Sequence, residues 1–323
     1  MKQARFESEA AAVWAEYREL LAALEQGRRR DPARPVERFP ALFRSLCAHY
    51  ALARSRGYSP GLVADLHDLV QRGYRLLYRR RLDWPRQAMD FLAAGFPAAL
   101  RRHAWAFWLA ALLFFGPMLA MGIACYQDDT LIHSLLDGAE VASLESMYDP
   151  ANRTPGREAE RQSDTDFAMF GFYVMNNVGV AFRTFAGGLI AGIGSLFFLG
   201  LNGLVIGAAG GHLTAIGHGA PFWTFVSGHA PLELTAIAVS GAAGLLLAAA
   251  LLAPGRRRRL DALRANALEA VLLVTGAMVM LILAAMIEAF WSSSTAIAGE
   301  SKVLFGAAGW LLVALYFSRA GRA

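Results

Sequence analysis

Five long apolar runs fill the last two-thirds of this chain, and they restrict what it can fold into. They occupy residues 105–125, 186–213, 232–253, 267–290 and 303–317. A hydrocarbon core ~30 Å thick takes about 20 residues of helix. A chain of 323 residues would otherwise suggest two soluble domains. Here the 56% apolar composition, concentrated after residue 103, overrides that expectation. The fold class is all-α: a polytopic helical membrane protein with a cytoplasmic N-terminal helical region.

Three parts follow from the pattern. Residues 1–83 form a cytoplasmic helical region, 84–103 an amphipathic juxtamembrane helix, and 104–318 a membrane domain of about six segments. In the first part, Phe6, Ala10, Val13, Trp14, Tyr17, Leu20, Leu21 and Leu24 recur at helical spacing. Phe39, Leu42, Phe43, Leu46 and Tyr50 mark a second helix, and Leu62, Val63, Leu66, Leu69, Val70 and Leu77 a third. Ser59-Pro60 suits the start of that third helix, and DPARP at 31–35 reads as a linker. Between 84 and 102, Ala88, Phe91, Leu92, Gly95, Phe96 and Ala99 share a face, with a kink expected at Pro97. No apolar leader opens the chain, so its first internal span is expected to direct insertion. Cys47 and Cys125 make no disulfide framework and read as free thiols.

Residues 1–103 hold 19 Lys and Arg against 11 Asp and Glu. No nucleic-acid recognition motif accompanies that charge. Arg72, Arg75, Arg79–Arg81, Arg101 and Arg102 instead suit the anionic cytoplasmic face of a bilayer, or a solvated surface that sets topology. The positive-inside rule places Arg101-Arg102, the four arginines at 256–259, Arg319 and Arg322 in the cytoplasm. The loop 126–166 has ten acidic residues and three arginines and is expected outside. The expected localisation is a bacterial cytoplasmic (inner) membrane, with both termini cytoplasmic.

Parity then assigns a role to FYVMNNVGVAFRTF at 172–185. The first span ends outside and the 232–253 span must end inside. The intervening apolar run supplies one crossing too few, so residues 167–185 are expected to cross as a sixth segment. An amphipathic helix lying at the interface is the alternative. Crossing puts Asn176 and Asn177 inside the membrane and Arg183 near its cytoplasmic face. With Gly179 and Thr184 they read as one polar stripe that should face other helices or water, since unpaired polar groups in lipid are costly.

The next run is rich in small residues. Gly188/Gly192 and Gly203/Gly207 read as small-xxx-small pairs that let helices approach closely. Asn202 lies among them and needs a partner, for which the Asn176/Asn177 stripe is a candidate. A homodimer is the candidate assembly. In GHAPLEL at 228–234, Pro231 opens a helix, and His229 and Glu233 are four residues apart on one face, with Ser240 on the same stripe. A carboxylate in an apolar run is a functional candidate by default. Proton or cation binding is one role for Glu233, and a structural His–Glu pair at a helix end is the other. Glu288 lies at the same external level and is a candidate to join Glu233. His212 and His218 are near in sequence, but no metal and no other cofactor is expected. No HExxH, phosphate-loop or dinucleotide motif occurs, and the chain is not read as an enzyme.

These residues resemble the stage II sporulation protein M family of integral membrane proteins. The likeness is carried by FPAALRR at 96–102, Asn176-Asn177, FAGG at 185–188, Leu201-Asn202-Gly203 with Gly207, HAPLE at 229–233 with Leu234 and Ala236, and Glu288-Ala289-Phe290. The family pattern has glycine where this chain has Ala230. The resemblance covers residues 90–318 and implies a non-enzymatic scaffold or partner-recruiting subunit of an envelope complex. The founding branch acts in engulfment with a cell-wall hydrolase, and other members are encoded near a MoxR-type ATPase. The rival reading is a transporter or channel with a polar path involving Asn176, Asn177 and Glu233.

Overall fold

The computed structural model describes residues 2–25, 38–77, 84–151, 163–294 and 296–322. The 31–35 linker, Arg79–Arg81 and residues 152–162 of the acidic loop lie outside them. Every described regular element is helical, and the chain is an all-α polytopic membrane protein. It divides into two compact units, Met1–Trp84 and Pro85–Ala323.

The first unit packs α1 (Gln3–Glu25), α2 (Phe39–Ser55) and α3 (Pro60–Leu77) around one core. Each helix contributes the stripe its periodicity announces: Phe6, Trp14, Tyr17 and Leu21 from α1, Phe39, Leu42 and Leu46 from α2, and Leu66 and Leu69 from α3. Tyr17 is fully buried, and its hydroxyl donates to the Leu69 carbonyl at 3.1 Å. Gly73 leaves room for that ring, since a Cβ there would overlap the phenol oxygen. Ser59 does not spend its hydroxyl on α3. It accepts from Gln3 Nε2 at 2.9 Å, while its N–H donates to Gln3 Oε1. Arg72 grips Glu25 with two hydrogen bonds of 3.0 and 2.7 Å, holding that carboxyl below its ordinary range.

The second unit opens with α4 (Trp84–Asp90), a π-helical turn (Phe91–Gly95) and α5 (Phe96–Arg102). The kink expected at Pro97 is resolved as this π turn. The Phe96 N–H bonds the Phe91 carbonyl, and Pro97 has no N–H to offer Leu92. Tyr316 donates its hydroxyl to the Leu92 carbonyl instead. Then come α6 (Ala104–Gln127), α7 (Gly138–Met147), α8 (Ser163–Ala186), α9 (Ile193–Ala215), α10 (Gly219–Val226), α11 (Ala230–Leu252), α12 (Arg259–Met286) and α13 (Gly299–Arg319).

Among the described residues, five helices are long and apolar enough to cross a membrane: α6, α9, α11, α12 with its π extension, and α13. The polar residues Asp164, Asp166, Asn176, Asn177 and Arg183 keep α8 out of that set. Its path is nonetheless fixed by its neighbours. Gly203, Gly207 and Gly211 of α9 meet Phe114, Met118 and Gly122 of α6 in ascending order, so the two helices run parallel. The chain must return between them, and α8 makes that return. Its start sets Phe167 edge-on against Phe290, and its end accepts a 2.7 Å hydrogen bond from Ser195 at the Thr184 carbonyl. Its 24 residues reach ~36 Å.

The expected glycine pairs divide. Gly203 and Gly207 lie in α9, and a Cβ on either would overlap an α6 carbonyl. Gly188 and Gly192 are not on a helix face. Residues 187–192 form the turn joining α8 to α9, so the run taken as starting at 186 becomes helical only at Ile193. Gly192 adopts φ +86°, which L residues rarely take, and Gly188 lies against the Gly244 backbone of α11. α11 is the central helix, buried along most of its length between α6, α8 and α12.

Candidate functional site

One end of the Pro85–Ala323 unit is basic and the other carries the polar cluster. At the basic end Arg101 donates to the Phe317 carbonyl at 2.9 Å, and Glu269 faces His103 at 3.2 Å and Arg102 at 3.3 Å. At the opposite end α9 finishes, α11 begins and α12 finishes.

His229 and Glu233 meet there as their spacing implies, but loosely. Nε2 lies 3.8 Å from Glu233 Oε2, beyond hydrogen-bond range. The other ring nitrogen, Nδ1, lies 3.4 Å from the Ser292 hydroxyl. The edge of His229 meets Phe225, with ring centroids 5.6 Å apart. His229 is buried and Glu233 partly so.

Glu288 enters from the π turn Ile287–Ser292 that ends α12. A π turn inserts an extra residue and re-aims the side chains beside it. Here Glu288, Ala289 and Ser292 all become buried. One donor atom from each of His229, Glu233 and Glu288 lies within 4.8 Å of the other two. Two ionised carboxylates so close would repel by about 3 kcal/mol at an effective dielectric of ~20. A proton or a cation shared between them relieves that repulsion.

The surroundings hold the cluster shut. Lys302 of α13 is buried and donates to the Ser292 carbonyl at 2.6 Å. Gly228 allows the start of α11 close to the Trp291 ring and the Ser292 hydroxyl, and Gly306 allows α13 onto the Ser227 carbonyl. Tyr148, just after α7, packs edge-on against Phe222 and Phe225. Burial raises its phenol above the ordinary value, and Glu288, Tyr173 and Glu233 add to the shift. His212 of α9 has partners of its own. Its Nδ1 donates to the Asp129 carbonyl at 3.0 Å, and its Nε2 contacts Glu145 at 2.8 Å.

Other sequence candidates stand elsewhere. Asn176 donates to Asn177 at 3.0 Å, but the pair does not share one buried stripe. Asn177 and Thr184 are buried, while Asn176 and Arg183 are exposed. Consecutive helical residues point ~100° apart, so the polar positions fall on two adjacent faces rather than one. Arg183 donates to its own helix at the Gly179 carbonyl. Asn202 likewise bonds the Phe198 carbonyl of its own helix at 2.6 Å rather than the asparagine pair. The Asn177 amide nitrogen and the Ser240 hydroxyl have no hydrogen-bond partner among the described residues.

Sequence reading passed over Lys302, Tyr148 and the His212–Glu145 pair. Lys302 did carry a signal: it is one of two lysines in a chain that otherwise uses arginine, and it opens an apolar helix. Tyr148 carried none, because only the tertiary fold returns it to α10.

Two family matches bear on these regions. Residues 111–293 match the family described as Stage II sporulation protein M. Residues 4–79 match a domain of unknown function, DUF8413. No curated protein and no solved structure matches the chain.

Proposed function

As the chain belongs to the stage II sporulation protein M family, we propose that it is a non-catalytic scaffold that recruits partners to a bacterial envelope complex. The observation that carries this reading is the backbone-on-backbone interlock of the membrane unit. Gly188 against Gly244, Gly203 against Phe114, Gly207 against Met118 and Gly211 against Gly122 leave no room for helices to slide. Alternating access needs one bundle to rock against another, whereas a platform benefits from rigidity. The separately cored Met1–Trp84 unit supplies a soluble surface for a cytoplasmic partner. Arginines at 101, 102, 256–259 and 319 favour a cytoplasmic basic end in the inner membrane, with both termini on that side and α8 as the sixth crossing.

A second reading, transport, is favoured by one observation. The Asn177 amide nitrogen and the Ser240 hydroxyl are buried without partners among the described residues, and such groups are commonly met by water or a passing ion. Flux measured in proteoliposomes separates the two. The scaffold reading expects no selective flux, and a defined partner that co-purifies with the full chain and is lost on removing residues 1–77. Saturable or voltage-driven flux abolished by Glu233→Gln overturns it in favour of transport.

A further inference from the structure

We propose that His229, Glu233 and Glu288 form a binding site for one divalent transition-metal ion at the polar-cluster end of the membrane unit. The sequence paired His229 with Glu233, offered Glu288 as a candidate to join Glu233, and led to the expectation of no metal. The fold adds Glu288 from a different helix. One imidazole nitrogen and two carboxylate oxygens then converge within 4.8 Å of one another. A tetrahedral ion with bonds of ~2.1 Å wants donors about 3.4 Å apart. Small side-chain rotations of the two glutamates bring the donors to that separation.

Three features beyond the convergence support a cation. The Nδ1 side of His229 is turned toward the Ser292 hydroxyl, so Nε2 faces Glu233, and an outer-shell oxygen orients the imidazole as metal-bound histidines require. Glu288 stands on a π turn, an irregularity that costs helix geometry and concentrates at functional positions. Lys302 of α13 directs its positive charge at the Ser292 carbonyl. The two carboxylates with one imidazole match borderline ions such as Zn2+ or Co2+ better than Mg2+, which prefers oxygen and retained water. The site does not rest on the scaffold reading, because binding is measured on the purified chain without any partner.

The test uses the full chain in detergent, stripped with a chelator and titrated with Co2+ as a visible-absorption probe. The expected result is one Co2+ per chain, displaced by Zn2+, with a rise in Tm on adding Zn2+. Glu233→Gln and Glu288→Gln should each weaken binding at least tenfold, and His212→Gln, which removes the neighbouring His–carboxylate pair, should leave it unchanged. X-ray absorption on Zn2+-loaded wild-type protein reads the donors without any variant, and is expected to show one imidazole with oxygen ligands. No saturable binding by folded wild-type protein overturns the proposal. So does binding that survives both glutamate changes, binding lost in His212→Gln, or a donor set containing sulfur or several imidazoles.

Discussion

The two units hold themselves together by opposite means. The core of the Met1–Trp84 unit is made of large side chains, with Phe6, Trp14, Tyr17, Phe39 and Phe43 among them. In the Pro85–Ala323 unit the tightest contacts are made by glycine, and alanine dominates the buried face of α11. The solvent explains the difference. In water, burying apolar area drives helices together, so bulk is useful. In lipid the tails are as apolar as the side chains, so helices adhere through close van der Waals packing, which requires small residues. A substitution that is mild in one unit should therefore be severe in the other.

The largest effect is expected from Gly207→Leu. Its Cβ would overlap the Met118 carbonyl, which is backbone and has nowhere to move. The cost should exceed the ~1–3 kcal/mol of ordinary overpacking. Loss of monodisperse protein in mild detergent is the expected readout, and a wild-type Tm would contradict the interlock. Next comes Leu46→Ala, which opens a hole in the first core, where Leu46 is fully buried. About 2–5 kcal/mol should be lost. The loss should appear as protease sensitivity within residues 1–84, with the melting of the membrane unit unchanged. Joint melting of both units would show that their cores are not independent.

Acid should weaken the first unit by a smaller amount. Trp14 Nε1 donates to His49 Nδ1 at 3.1 Å, and burial lowers the His49 imidazole below its ordinary value. The unfolded chain then takes up the proton first, near pH ~6.5. Stability is full above that pH and declines as pH falls through the lowered folded value. Urea melts followed by tryptophan fluorescence at pH 7.5 and 5 should show the decline, and His49→Phe should flatten it. The smallest effect belongs to Glu25→Gln. It breaks the Arg72–Glu25 ion pair, which is roughly one-third exposed on both sides and is worth at most about 1 kcal/mol. A larger loss, insensitive to salt, would mean that this surface pair does more than its exposure allows.

The sequence by itself determined the class of fold, because 20-residue apolar runs have few alternatives once a bilayer is the solvent. It also determined the core stripes of α1, α2 and α3 and the register of His229 with Glu233, since each depends only on helical period. Parity made residues 167–185 the candidate for a sixth crossing. What the tertiary structure decided were relations between segments far apart in the chain. It turned residues 187–192 from helix into turn, because only there could Gly188 reach Gly244. It split Asn176 from Asn177, because helix-to-helix burial chooses between faces that sequence spacing alone leaves joined. It brought Glu288 to His229, Tyr148 to Phe225 and Lys302 to Ser292, because proximity between distant segments follows from packing, and packing in lipid is set by where backbones can touch.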